Sequence, residues 1–182
     1  MSNAYKFLNP DGMYFVTSTV VGWIDVFTRA EYRKILLDSF KYCQGKKGLE
    51  IFAWVLMTNH FHWVARAKQG YELQDILRDM KKYTSRNILK AIAENVQESR
   101  RDWMLYLFKR YGTYNSNNKQ YQFWQQDNHP IELWHPEVVQ QKIEYIHQNP
   151  VRSGLVDDAI NYPYSSARSY SGKHGLLEVM LI

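Results

Sequence analysis

The sequence predicts an α+β fold: a ferredoxin-like βαββαβ sandwich with an antiparallel sheet, helices on one face, and a C-terminal helical extension. Three observations carry that expectation. Runs of strand length and composition stand at 12–23, 49–57 and 60–67, with a shorter one at 121–125. Segments with helical spacing of apolar residues stand between them at 28–48 and 71–97. Only Thr58 and Asn59 separate the second run from the third, too short a connection for parallel neighbours, so those two strands form a hairpin.

The first strand, "GMYFVTSTVVGW", is rich in β-branched and aromatic residues and is bounded by glycines. Thr28 and Glu31 have capping-box spacing at the start of the first helix; Tyr32, Ile35, Leu36, Phe40 and Cys43 keep its phase, and Gly45 and Gly48 end it. "LEIFAWVLM" is almost continuously apolar, as a central strand should be, and "HFHWVARA" returns. In the longest helix Leu73, Ile76, Leu77, Met80, Ile88, Ala91 and Ile92 form an inner stripe. "RRDWMLYLFKRYG" is a further helix, "GTYNSNNKQ" a loop, and "YQFWQ" the last strand. Pro136 opens a helix that Val139, Ile143 and Ile146 continue to Asn149-Pro150. The apolar tail "LLEVMLI" is read as core packing. The chain is one domain, residues 1–182, with a core over about 12–125 and an extension over about 126–182.

Composition is that of a globular protein: 45% hydrophobic residues, with charges of both signs mixed along 182 residues. Cys43 is the only cysteine, which excludes an intramolecular disulfide and a cysteine-based zinc cluster. No apolar run reaches membrane-span length, and "MSNAYKFLNPDG" has no signal-peptide pattern, so no membrane association and a cytoplasmic location are expected. Net charge is +5, and 14 Tyr and 6 Trp make the chain aromatic-rich. A basic, aromatic surface suits single-stranded nucleic acid, whose bases stack on rings and whose phosphates meet Lys and Arg.

The chemistry concentrates in "WVLMTNHFHWVARA". Side chains alternate across a strand, so His60 and His62 share one face while Phe61 and Trp63 share the other. Two imidazoles one residue apart on one face can reach a single metal ion. They can equally be polar residues of a half-exposed strand. In the long helix the apolar stripe is interrupted at Tyr83, Thr84 and Asn87, and Tyr83 and Asn87 stack one turn apart. A helix packed beside the histidine strand would bring a phenol and an amide oxygen to the imidazoles. Arg78, Lys82, Arg86 and Lys90 repeat every four residues around that face, with Lys81 beside them.

These residues resemble a known family. "MTNHFHWV" looks like the His-hydrophobic-His motif of the HUH endonucleases, and "MKKYTSRNI" looks like the tyrosine helix of insertion-sequence-type single-tyrosine transposases. "FWQQDNHPIEL", "YIHQNPVRSGLV" and "PYSSARSY" resemble the C-terminal region of the REP-associated tyrosine transposases. The resemblance implies a metal-dependent enzyme that cuts and rejoins single-stranded DNA through a 5′-phosphotyrosine link and recognises a DNA hairpin. It implies Tyr83 as nucleophile; His60, His62 and Asn87 as ligands of Mg or Mn; and DNA contacts from Arg78, Lys81, Lys82, Arg86 and Lys90. Tyr121 and Trp124 are candidate stacking residues, and Arg152 and Arg168 candidate phosphate contacts. A homodimer and a monomer both stay open, as do a non-catalytic hairpin-binding protein and a metallohydrolase whose nucleophile is water. Residues 97–121 match no motif of the family.

Overall fold

A computed structural model describes residues 7–114, 120–126 and 128–182. The middle of the expected loop at 112–120 and the start of the N-terminal segment lie outside the described residues. The secondary structure follows the expected order: β1 (Tyr14–Thr19), α1 (Ala30–Lys46), β2 (Leu49–Leu56), β3 (His60–Ala67), α2 (Leu73–Glu94), α3 (Arg101–Thr113), β4 (Ile131–Glu132), α4 (Pro136–Arg152) and a short α5 (Ala167–Tyr170). The sheet is antiparallel with the order β2-β3-β1-β4. This is the split βαβ arrangement of a ferredoxin-like sandwich.

Alternation along the strands divides the core into two layers. On one face Tyr14, Val16, Phe61, Trp63 and Ala65 pack with Leu36 and Phe40 of α1 and with Ile76, Leu77, Met80 and Ile88 of α2. On the other, Phe15, Phe52, Val55 and Val64 pack with Ile143 and Ile146 of α4. The two sandwich helices α1 and α2 therefore share one face, as expected, and α4 of the C-terminal extension covers the other. The apolar strand β2 needs burial on both sides, and the extension supplies the second cover.

Three local expectations are corrected. Thr28 does not cap α1: its Oγ1 donates to Asp25 O, and Arg29 stands at the N-cap position with no side-chain cap bond. The edge strand at 121–125 is reduced to a bridge between Trp124 and Val20, and the regular pairing falls at β4. The segment still follows β1, with Val21 N donating to Phe123 O, Gln125 N to Thr19 O and Thr17 N to Asn128 O. In the C-terminal tail only Leu177 is buried, while Leu181 and Ile182 are exposed. The tail lies along the open edge of β2, where Met180 N donates to Ile51 O. Tyr164 O and Ser166 cover the same edge, accepting from Leu56 N and donating to Trp54 O respectively, which removes an unpaired strand edge.

Candidate active site

β3 sets His60 and His62 on the sheet face that α4 covers. His62 stands opposite Thr17 of β1, and Thr17 Oγ1 lies 2.7 Å from its Nδ1. The imidazole stacks on Phe15 at 5.2 Å and meets the Tyr145 ring of α4 at 5.4 Å, nearly edge-on. The His60 ring is 4.8 Å from that of His62. Its Nδ1 is 2.7 Å from Asn59 Oδ1. Asn59 uses its amide hydrogens on Trp23 O and Asp25 Oδ1, so Oδ1 accepts and His60 Nδ1–H donates.

Both rings thus use Nδ1 for a neighbour and keep Nε2 for something else. His62 Nε2 is buried and has no hydrogen-bond partner. Burial pushes His60 down to about 4, and burial, aided by His60 and Lys142, pushes His62 down to about 3. Both imidazoles are therefore neutral at physiological pH, the form that binds a metal. A buried, unpartnered imidazole nitrogen beside a second oriented imidazole fits a divalent ion, with the outer contacts from Asn59 and Thr17 that such ligands normally have.

The structure does not bring Tyr83 and Asn87 to this pair. The apolar stripe of α2 must bury itself against Phe61 and Trp63, and those residues point away from the histidines. Thr84 continues that stripe, fully buried; its hydroxyl donates to Met80 O and accepts from Trp124 Nε1. Tyr83 lies at the outer margin, 56% exposed, and Asn87 Nδ2 donates to Tyr83 O within the helix. The basic stripe of α2 stays on that side: Arg78 pairs with Asp75 and Asp79, Lys90 with Glu94, and Lys81 binds Gln125 O and Asn128 Oδ1. Lys82 and Arg86 are exposed on the same helix. Trp124 is no stacking platform for a ligand; it is 5% exposed and packs among Phe27, Phe61 and Phe123. Tyr121 also packs against the core. Arg168 sits on α5, its Nε buried.

The phenol that does meet the pair is Tyr145, against His62, 36% exposed at the rim of α4. Lys142 Nζ lies 5.7 Å from its ring centroid and 4.7 Å from that of Phe15, and the Arg152 guanidinium lies 5.9 Å from the Tyr145 ring. Asn149 follows Tyr145 by one helical turn on the same face. The sequence holds a signal for this set, because two Tyr-x-x-x-Asn pairs have both residues within a helix, Tyr83/Asn87 in α2 and Tyr145/Asn149 in α4, the second inside "YIHQNPV". Of the sequence candidates, His60, His62 and Arg152 gather here.

A sheet with paired histidines beneath a tyrosine-bearing helix belongs, in this chain, to a known class. The model of the family described as "Transposase IS200 like" matches residues 24–126, more than half of the sequence, and the chain belongs to that family of DNA-cleaving enzymes. The fold is shared with a solved structure of a REP-associated tyrosine transposase bound to a REP hairpin, at a TM-score of 0.67 and 18% identity, covering 100% of this chain and 95% of that one. A candidate transposase from Deinococcus radiodurans R1 is more distant, at a TM-score of 0.43 and 13% identity over 82% of this chain and 97% of that one. No curated protein matches the sequence. Among the described residues no helix is long and apolar enough to cross a membrane.

Proposed function

We propose that this protein cuts and rejoins single-stranded DNA beside a hairpin, with Tyr145 as the nucleophile in place of Tyr83. The observation that carries the reading is the Tyr145 ring held 5.4 Å from His62, whose buried Nε2 has no other partner. The hairpin is suggested by the fold relative solved with one.

His60, His62 and Asn149 would hold Mg or Mn, Asn149 replacing Asn87 as the oxygen donor. When bound, the ion polarises the phosphate and offsets charge in the transition state. The remaining steps belong to the side chains. Lys142 and Arg152 draw the DNA backbone to the rim of α4, beside the Tyr145 ring. Tyr145 Oη attacks phosphorus in line with the 3′-oxygen. The P–O3′ bond breaks, the phenol's proton is released, and the departing oxygen takes a proton to become a free 3′-OH. The product is a 5′-phosphotyrosine ester. It conserves the phosphodiester bond energy, so a second 3′-OH can reverse the step and be joined.

The test is a denaturing gel after incubation with Mn and labelled hairpin oligonucleotides. The wild type should form a covalent protein–DNA adduct, Tyr145→Phe should form none, and Tyr83→Phe should retain it. Loss of the adduct in Tyr83→Phe alone would restore the α2 tyrosine, delivered from a second copy. Strand cleavage with no adduct in any variant would leave water as nucleophile.

A further inference from the structure

The turn that follows β1 holds a tryptophan that neither the core nor the catalytic set explains. Trp23 is 60% exposed, and its φ of 55° puts a bulky residue in the left-handed region that disfavours side chains with a Cβ. Backbone strain of this kind persists only where the surroundings over-determine it, and such sites cluster at ligand clamps. The surroundings here are specific. Asn59 Nδ2 donates to Trp23 O, and the same amide's oxygen orients His60. Asp25 Oδ1 braces that amide and the Thr58 hydroxyl from the far side. Gly22, with φ of 61°, lies so close under Tyr111 of α3 that a Cβ would stand 2.7 Å from the phenol oxygen. The turn is clamped from two sides, and the clamp fixes an exposed indole 5.9 Å from the His60 ring, nearly perpendicular to it.

A rigid aromatic surface open to solvent, registered to a histidine of the active site, is suited to hold one planar group beside that site. In a DNA-cutting enzyme the planar group next to a scissile phosphate is a nucleobase. We propose that Trp23 is a stacking platform for the unpaired base adjacent to the scissile phosphate, positioning the strand for attack. The proposal rests on the reading of His60, His62 and Tyr145 as the cleavage site. It also gives α3 a role, since Tyr111 presses on Gly22 and keeps the platform in place. Stacking on a ring is tolerant of base identity, so the platform contributes position and affinity more than sequence choice.

The experiment uses fluorescein-labelled DNA hairpins with a short oligothymidine tail, and a series in which an abasic residue is walked through the tail. Affinity is read by anisotropy and adduct formation by gel. For wild type, one abasic position should weaken binding by about tenfold, the typical scale for losing one stacked base. Trp23→Ala and Trp23→Gly should weaken binding of the intact tail by about the same factor and be indifferent to the abasic residue at that position. Trp23→Phe should restore most of the affinity. Trp23→Gly relieves the backbone strain, so its melting temperature should equal or exceed that of wild type, which separates lost stacking from lost folding. Equal affinity in wild type and Trp23→Gly for every probe, with adduct formation intact in both, would overturn the platform alone. Absence of hairpin binding and of any adduct in wild type would overturn the cleavage reading and the platform with it.

Discussion

Protonation of His147 is a perturbation whose size the structure sets. His147 lies on α4 between Tyr145 and Asn149, on the side of the helix that packs inward, and is only 8% exposed. Its Nε2 is 2.9 Å from Ser166 Oγ, which in turn accepts from Trp54 N in the sheet. The ring packs edge-on against Tyr170 at 4.9 Å. His147 thus ties the helix that carries the candidate nucleophile to strand β2. Burial pushes its imidazole from 6.5 down to about 4. The unfolded chain therefore takes a proton that the folded protein refuses. Stability from this group is fully present above pH 6.5, falls as the pH drops below that, and is lost by about pH 4. At roughly 1.4 kcal/mol per pH unit the loss is about 3 kcal/mol. Urea melts of wild type and His147→Gln near neutral pH and near pH 4 measure it, since His60 and His62 titrate in both proteins and cancel in the comparison. Wild type should lose about 3 kcal/mol more than the variant on acidification. Equal losses in the two proteins would refute the anchoring role of the neutral imidazole.

Other outcomes follow from the same geometry. Thr84→Val removes the acceptor of the Trp124 indole and leaves a buried N–H unpaired; chemical denaturation should show a loss of about 1–3 kcal/mol. The adduct yield of the folded fraction should be unchanged, because Trp124 is core. Lys142→Gln and Arg152→Gln should each weaken DNA binding, and the slope of log affinity on log salt should become shallower by about 0.7–0.9 per removed charge. Arg78→Gln should leave that slope unaltered, since Arg78 is held by Asp75 and Asp79 away from the histidine face. Tyr145→Phe deletes only a hydroxyl at the helix rim, so its melting curve should stay within about 0.5 kcal/mol of wild type while the adduct disappears.

Much of the scaffold was legible in the chain. The apolar run of β2, the two-residue connection before β3, and the stripes of α1 and α2 each satisfy a local rule, and local rules can be read without neighbours. The histidine pair was legible for the same reason, because alternation along one strand puts both rings on one face whatever covers it. The edge strand was less so: Trp124 pairs only with Val20, and β4 is two residues whose pairing depends on β1 being there. Thr84 looked like part of a polar break in α2, yet it is buried, because its hydroxyl serves Met80 O and the Trp124 indole across a gap of forty residues.

The tyrosine marks where sequence reasoning stopped. Tyr83/Asn87 in α2 and Tyr145/Asn149 in α4 have the same Tyr-x-x-x-Asn spacing, and each stacks on one helix face by the same arithmetic. The sequence by itself determined the strands, the principal helices and the shared face of His60 and His62, and it pointed to Tyr83 as the phenol that would serve them. Only tertiary packing set Tyr145, and not Tyr83, beside His62. The apolar stripe of α2 is drawn to Phe61 and Trp63, which carries Tyr83 to the far side of the sheet. The remaining apolar face of β2 draws in Ile143 and Ile146, and that burial, set by residues some ninety positions away in the chain, swings Tyr145 over the histidines.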